Sequence, residues 1–147
     1  MITLKPITKD NIEQVLALKV NEKQKSFVIT TAESLAKAYV YYKTAWPFAV
    51  YQDDLPVGFI MMGYYEEKKY YTLWEFLIDS KYQGNGYGRK ALLLGIQFLR
   101  DTFHAKEIYT GVAPGNQVAK KLYMSVGFAE TGLCENGMEE LRLAFLP

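Results

Sequence analysis

One cysteine and one histidine occur in the 147 residues of this chain. With Cys134 alone, no internal disulfide can form and a thiol-based zinc site lacks ligands. No metal is expected, and a reduced, cytoplasmic setting is. An excess of charge of one sign is also missing. The net charge of +1 leaves no global field to gather nucleic acid or an anionic membrane surface, so neither is an expected partner. No apolar run approaches the ~18 residues of a membrane span. The opening MITLKPITKDN has neither a long apolar core nor a cleavage-like site, which argues against a signal peptide. Repeats, low-complexity tracts and linker-like stretches are absent, so one domain over residues 1–147 is expected.

What is present is apolar surface and aromatic rings. Apolar residues make up 50% of the chain, and 12 residues are tyrosine. A chain of this length can bury a real core. Tyrosines suit half-buried strands and can also line a cleft. ITLKPI reads as a first strand. TKDNIEQVLALKV reads as a helix, with Asp10 and Glu13 at capping-box spacing and Ile12, Val15 and Leu16 on one face. TTAESLAKAYVYY is a second helix, with Thr30 and Glu33 at the same spacing. Then the period changes to alternation. PFAVYQ, a DDLP turn and VGFIMMGYY form a hairpin, and YYTLWEFLI follows EEKK as a third strand. A glycine-rich loop leads into a helix from about Gly88 to Phe103. EIYTGV is a strand and NQVAKKLYMSV a helix stopped at Gly127. Asn136-Gly137 is a hairpin turn before a last strand, EELRLAF. The order β-α-α-β-β-β-α-β-α-β-β predicts an α+β fold, a mixed, mostly antiparallel sheet with flanking helices.

The loop QGNGYGRK carries Gly84, Gly86 and Gly88. Glycines let a backbone turn tightly and approach a ligand closely. The helix N-terminus beside them favours an anion, and Arg89 and Lys90 add positive charge there. Three phosphate-binding patterns compete. A P-loop needs GxxxxGK[ST], which is absent. A dinucleotide fingerprint can be drawn through Gly86, Gly88 and Ala91, but it follows an antiparallel meander where a βαβ unit should begin. The third pattern is Gln83-x-x-Gly86-x-Gly88, a loop around the pyrophosphate of coenzyme A. A glycine-rich turn with no ligand is the bland alternative.

QGNGYG fits the Q/R-x-x-G-x-G/A of the GNAT superfamily of N-acetyltransferases. NQVAKKLYMSVGF, residues 116–128, fits that superfamily's N-x-x-A-x-x-L-Y-x-x-x-G-F, with Asn116, Ala119, Leu122, Tyr123, Gly127 and Phe128 in place. The two motifs stand in the family's order, about 30 residues apart. The chain resembles this superfamily over essentially its whole length. Within it, WEFLIDSKYQGNGYG and EKQKSFVITTAESLAKAY look like bacterial spermine/spermidine (diamine) acetyltransferases.

The resemblance implies a GNAT-like fold, acetyl-CoA as co-substrate and a small-molecule amine as acceptor, with spermine or spermidine the leading choice. It implies that Gln83, Gly84, Asn85, Gly86, Tyr87, Gly88, Arg89 and Lys90 hold the coenzyme. The backbone of Phe76, Leu77 and Ile78 is expected to pair with the pantetheine arm, one N–H polarising the thioester carbonyl. Asn116 is expected to bond the same arm or to cap its helix. Tyr123 stands where the family's catalytic tyrosine stands, seven residues after Asn116. That spacing lets both face one side of the helix, and Tyr123 is expected to act as the acid for the leaving thiolate. Glu75 interrupts the apolar LWEFLI and is the candidate base or amine-positioning residue. Glu66 and Glu67, near one end of that strand, can help receive a cation. His104 reads as a dipole-favoured helix end, and Cys134 has no assigned role.

Two other readings stay open. One is an acetyltransferase acting on a protein N-terminus, a lysine or an aminoglycoside. The other is a non-catalytic acyl-CoA-binding sensor on the same fold. Tyr123 favours catalysis, because a sensor needs no acid for a thiolate. The tyrosine-rich strands and the last hairpin offer surface for a homodimer.

Overall fold

The alternating runs become β1 (Ile2–Pro6), β2 (Ala45–Gln52), β3 (Leu55–Tyr65), β4 (Tyr70–Ile78), β5 (Glu107–Val112), β6 (Ala129–Glu135) and β7 (Met138–Ala144). The helices are α1 (Ile12–Leu16), α2 (Thr31–Val40), α3 (Tyr87–Phe103) and α4 (Gln117–Ser125). In the computed structural model, which describes residues 1–145, the strands form one sheet in the order β1-β2-β3-β4-β5-β7-β6. Only β4 and β5 run parallel; the other neighbours are antiparallel. Element order and the α+β class are those expected from the sequence.

Strand β3 is buried on both faces, which is why it reads as a nearly continuous apolar run. Ile60 and Met62 face one core with Leu92, Ile96 and Leu99 of α3. Phe59 and Met61 face the other with Val15 of α1 and Ala38 of α2. Helix α3 lies close to the sheet. A Cβ at Gly95 would sit 2.9 Å from Ile60 Cδ1 and 3.1 Å from Met62 Sδ. Deleting a fully packed side chain such as Leu92 or Leu99 to Ala is expected to cost about 2–5 kcal/mol.

The first helix departs from expectation. It covers only Ile12–Leu16, and the Asp10/Glu13 capping box does not form. Asn11 pins the helix start instead. Its Oδ1 accepts from Thr8 N at 2.8 Å, and its Nδ2 donates to Pro6 O and Tyr51 Oη. The helix ends early as the following residues bond the segment just after β4: Ser80 N donates to Lys19 O at 2.9 Å, and Lys19 N to Asp79 Oδ2 at 3.1 Å. The second cap is as expected, with Glu33 N donating to Thr30 Oγ1 at 3.1 Å. His104 ends α3 in the left-handed region (φ 55°), and Asn136 and Gly137 both take positive φ in the last hairpin. Two short 3-10 turns, Glu22–Gln24 and Ser80–Tyr82, have no counterpart in the sequence reading.

Candidate active site

Two irregularities in β4 build the site. The first is a parting of strands. β4 and β5 pair only at Tyr71–Leu73 with Ile108–Thr110. Thr110 Oγ1 donates to Leu73 O at 3.0 Å at the point of parting. Beyond it, Glu75–Ile78 pair with β3 alone. The second irregularity is a β-bulge. Met61 lies opposite Glu75 and Met62 opposite Leu73, so Trp74 is an extra residue. A bulge shifts the alternation by one position. Leu73 and Phe76 therefore face the α3/α4 core, while Trp74 and Leu77 face the α1/α2 side. Glu75 shares its face with its partner Met61, on that second side. Strict alternation would have buried the carboxylate beside Leu73 under α3.

The parting opens a cleft of about 1450 Å³, lined by both Glu75 and Tyr123. Glu75 is half-buried, and burial pushes its carboxyl up to about 7. Lys37 of α2 pulls it down and Glu33 pushes it up, both more weakly than burial. Tyr123 of α4 is buried, with Phe128 edge-on to its ring at 5.8 Å. Burial pushes its phenol up to about 12, the Thr110 hydroxyl opposes, and the Glu75 charge adds to the rise. The two expected reacting groups thus come from opposite sides of the sheet and meet across the parted strands.

The glycine loop closes one end of the cleft. Gly84 (φ 85°) and Gly86 (φ 79°) are left-handed, and a Cβ on either would meet no protein atom within 4 Å. Their requirement is the backbone angle and an open approach, with no crowding inside the protein. Gly86 is also the cap residue of α3, without a side chain to occupy the first-turn N–H groups. Those donors and the helix dipole suit a phosphate. Gly88 differs. A Cβ there would lie 3.2 Å from Leu122 Cδ2 and 3.5 Å from Phe76 Cζ, so it lets α3 pack against α4 and β4.

The loop's polar side chains serve the loop itself. Gln83 Nε2 donates to Ile78 O at 2.8 Å and pairs with the Gln24 amide at 3.0 Å. Of the strand-end carbonyls expected to meet a pantetheine arm, that of Ile78 is therefore already engaged. Asn85 Nδ2 donates to Tyr82 O at 3.0 Å. Gln83, Gly84, Gly86, Tyr87, Gly88 and Arg89 line the cleft; Asn85 and Lys90 stand off it. Asn116 lines the cleft and caps α4, accepting from Ala119 N at 3.3 Å. Sequence reasoning missed Asp79, which is buried and accepts from Lys19 N and Lys81 N, tying the segment after α1 to the loop. An acid directly after an apolar strand and before a serine was the available signal.

The other end of the cleft is acidic and aromatic. Glu66 and Glu67 come from the β3–β4 turn, and Glu135 and Glu140 from the last hairpin. The last two were not anticipated. Tyr70 lies among them, stacked on Tyr109 at 4.1 Å and edge-on to Tyr65 at 5.8 Å. Burial, then Glu140 and Glu135, push its phenol up to about 12. Among the described residues, the cleft is lined by six glutamates (33, 66, 67, 75, 135 and 140) and by two cations, Lys37 and Arg89.

Residues 17–128 match the profile of the Acetyltransferase (GNAT) family. The chain belongs to the GNAT acetyltransferase family. GNAT enzymes use acetyl-CoA as their acetyl donor, and the open, left-handed glycine loop ahead of α3 fits that donor. This GNAT chain is 37% identical over 139 residues to spermine/spermidine N(1)-acetyltransferase of Bacillus subtilis strain 168, covering 89% of this chain and 90% of the relative. Its fold is also that of spermidine N-acetyltransferase from Vibrio cholerae, solved with CoA and spermine (TM-score 0.76, 18% identity, 97% and 95% of the two chains). PaiA N-acetyltransferase from Thermoplasma acidophilum, solved with coenzyme A, is similar as well (TM-score 0.73, 14% identity, 99% of each chain). No helix among the described residues is long and apolar enough to cross a membrane.

Proposed function

We propose that this GNAT enzyme acetylates a primary amine of a polyamine such as spermine or spermidine. The observation that carries the reading is the polarity of one cleft. One end offers backbone donors for an anion, the other offers carboxylates and tyrosine rings for cations, and Glu75 and Tyr123 lie between. The 37% identity to a spermine/spermidine acetyltransferase points the same way. Acetyl-CoA supplies the thioester carbon that the amine attacks.

Glu75 answers the first difficulty, the proton on the amine. An alkylammonium has a pKa near ~10.4, so only about one molecule in 10³ is neutral at pH 7. Transfer to an ordinary carboxylate near ~4.3 is unfavourable by about 10⁶. With Glu75 at about 7, the ratio drops to about 10³, and consumption of the freed amine by its attack on the thioester draws the transfer forward. Tyr123 answers the second difficulty, the charge on the departing sulfur. A phenol at about 12 keeps its proton throughout neutral pH. A thiol near ~8.5 is the stronger acid, so Tyr123 acts mainly by donating a hydrogen bond to the developing thiolate. Phe76 offers backbone groups on the edge that β5 has left, where its N–H can face the carbonyl oxygen, while Leu77, two residues before Asp79 whose N donates to Val57 O, turns its own toward β3.

A panel of spermine, spermidine, putrescine, an aminoglycoside and a lysine peptide at two salt concentrations tests the acceptor. Spermine or spermidine should give the highest kcat/KM, with KM rising with salt as exposed ion pairs are screened. A preference for the peptide or the aminoglycoside would remove the polyamine reading and leave the GNAT assignment standing.

A further inference from the structure

We infer that Trp74 and Tyr41 form an aromatic wall beside Glu75 that holds the alkyl chain and second ammonium of the acceptor, and so sets the choice among amines. This deepens the polyamine reading and rests on Glu75 receiving the reacting nitrogen. Trp74 is the extra residue of the β4 bulge, and it faces the same side of the sheet as Glu75. Tyr41 caps the C-terminal end of α2, and its ring stands 5.7 Å from that of Trp74, tilted by 59°. Both residues line the cleft with Glu75. A glycine makes room for the indole. A Cβ at Gly63 would lie 2.9 Å from Trp74 Cε3 and 3.1 Å from Thr44 O, so the ring reaches across β3 at that residue.

The register says where the ring lies. Met61 pairs with Glu75, and Gly63 pairs with Thr72, two residues nearer the β3–β4 turn. Two residues of strand span about 7 Å. The indole therefore stands on the way from Glu75 to Glu66 and Glu67 of that turn. A chain that leaves its reacting nitrogen at Glu75 and runs to the acidic end passes over it. The rings are open to such a chain. Tyr41 is 54% exposed and Trp74 is half-buried. Among the described residues, no cation–π contact involves either ring; the neighbouring Lys43 lies over Tyr42 instead. Methylenes gain by covering apolar surface, and an ammonium is drawn to an aromatic face. The matching acceptor is a flexible alkyl chain with a second ammonium a few methylenes from the first. A monoamine covers the rings but lacks the second charge.

The test has two readouts on the full chain. The first is binding without turnover. In Trp46→Phe, Trp74 is the one tryptophan left, and its emission is titrated with spermine and with butylamine in the presence of CoA. Spermine should change the emission saturably, and butylamine should need at least roughly five- to tenfold more. The second readout is kinetic. KM for spermine should rise roughly five- to tenfold in Trp74→Leu and two- to fivefold in Tyr41→Leu, with partial return in Trp74→Phe. KM for acetyl-CoA should not follow. An emission that ignores spermine, or a spermine KM unchanged in both leucine variants, would overturn the proposal and leave the two rings as packing. A saturable emission change in a chain that does not acetylate spermine would sink the polyamine acceptor alone and keep the wall as a place for an alkylammonium chain.

Discussion

The two ends of the cleft are made of different material. The glycine-loop end is built from backbone: positive φ at Gly84 and Gly86, a bare helix cap, and a strand edge left open by β5. The acidic end is built from side chains contributed by the β3–β4 turn and the last hairpin. Backbone groups cannot be exchanged by mutation, so the first end is suited to one invariant ligand. Carboxylates and rings can be exchanged singly, so the second end is where acceptor choice is set. Variants at the two ends, and at the residues between them, should separate accordingly.

Between the ends, Tyr123→Phe should give the largest effect, a loss in kcat of roughly 10²–10³ with acetyl-CoA affinity little changed. Wild-type turnover from pH 6 to 9 would make Tyr123 a packing residue. Next comes the backbone end. Gly86→Val suffers about 1–2 kcal/mol of left-handed strain whatever binds there, so it cannot by itself report on ligand approach. Gly86→Asn tolerates that angle better. Both variants should lose at least about tenfold in acetyl-CoA affinity, while only the valine lowers Tm appreciably. Retained affinity in the asparagine variant would mean that the ligand does not approach this residue.

Glu75→Gln should lose activity and gain stability. The folded-state pKa of about 7 lies above the ordinary 4.5. Below pH 4.5 the carboxyl is neutral in folded and unfolded chains alike. As pH rises through 7, the folded chain must bear a desolvated charge, so wild-type stability is lost across that window. Glutamine has no such loss. The variant should be more stable than wild type at pH 8 by about 2 kcal/mol, after allowance for partial exposure, with the difference vanishing by pH 4. Chemical denaturation at the two pH values reads this directly. The smallest effects belong to the acidic end. Glu135→Gln and Glu140→Gln should each raise KM for spermine a few-fold, consistent with about 0–1 kcal/mol per exposed pair, and leave acetyl-CoA affinity alone. A fall in acetyl-CoA affinity would show that the two ends are not separable.

This division also sets what could be read from the sequence. The glycine motif and the Asn116–Tyr123 helix are local patterns, and most of the residues they pointed to line the cleft. Tyr123 was legible through its place in the motif that the chain shares with the GNAT superfamily, although nothing local says that it lines one cleft with Glu75. The bulge at Trp74 that turns Glu75 toward α2 carries no glycine or proline signal; it exists because β3 and β4 each satisfy two cores at once. The shortening of α1 was hidden for a similar reason, since Lys19 is bonded by Asp79 and Ser80, some 60 residues away. Glu135 and Glu140 reach the cleft only because β7 inserts between β5 and β6. Asn85 and Lys90 sit inside the matching motif yet off the cleft, because consecutive residues around a helix start point in different directions.

The central claim is that Glu75, raised by burial, takes the amine's proton opposite Tyr123. The most direct measurement is kcat/KM for spermine from pH 5.5 to 9.5 in wild type and in Glu75→Gln. Wild type should show an acidic limb with a midpoint near 7, since kcat/KM reports ionisations of the free enzyme and free substrate. Glu75→Gln should lose that limb and keep only the rise toward the amine's own pKa, so the gap between the two narrows as pH climbs. An acidic limb near 7 that persists unchanged in Glu75→Gln would contradict the account and assign the proton to another group.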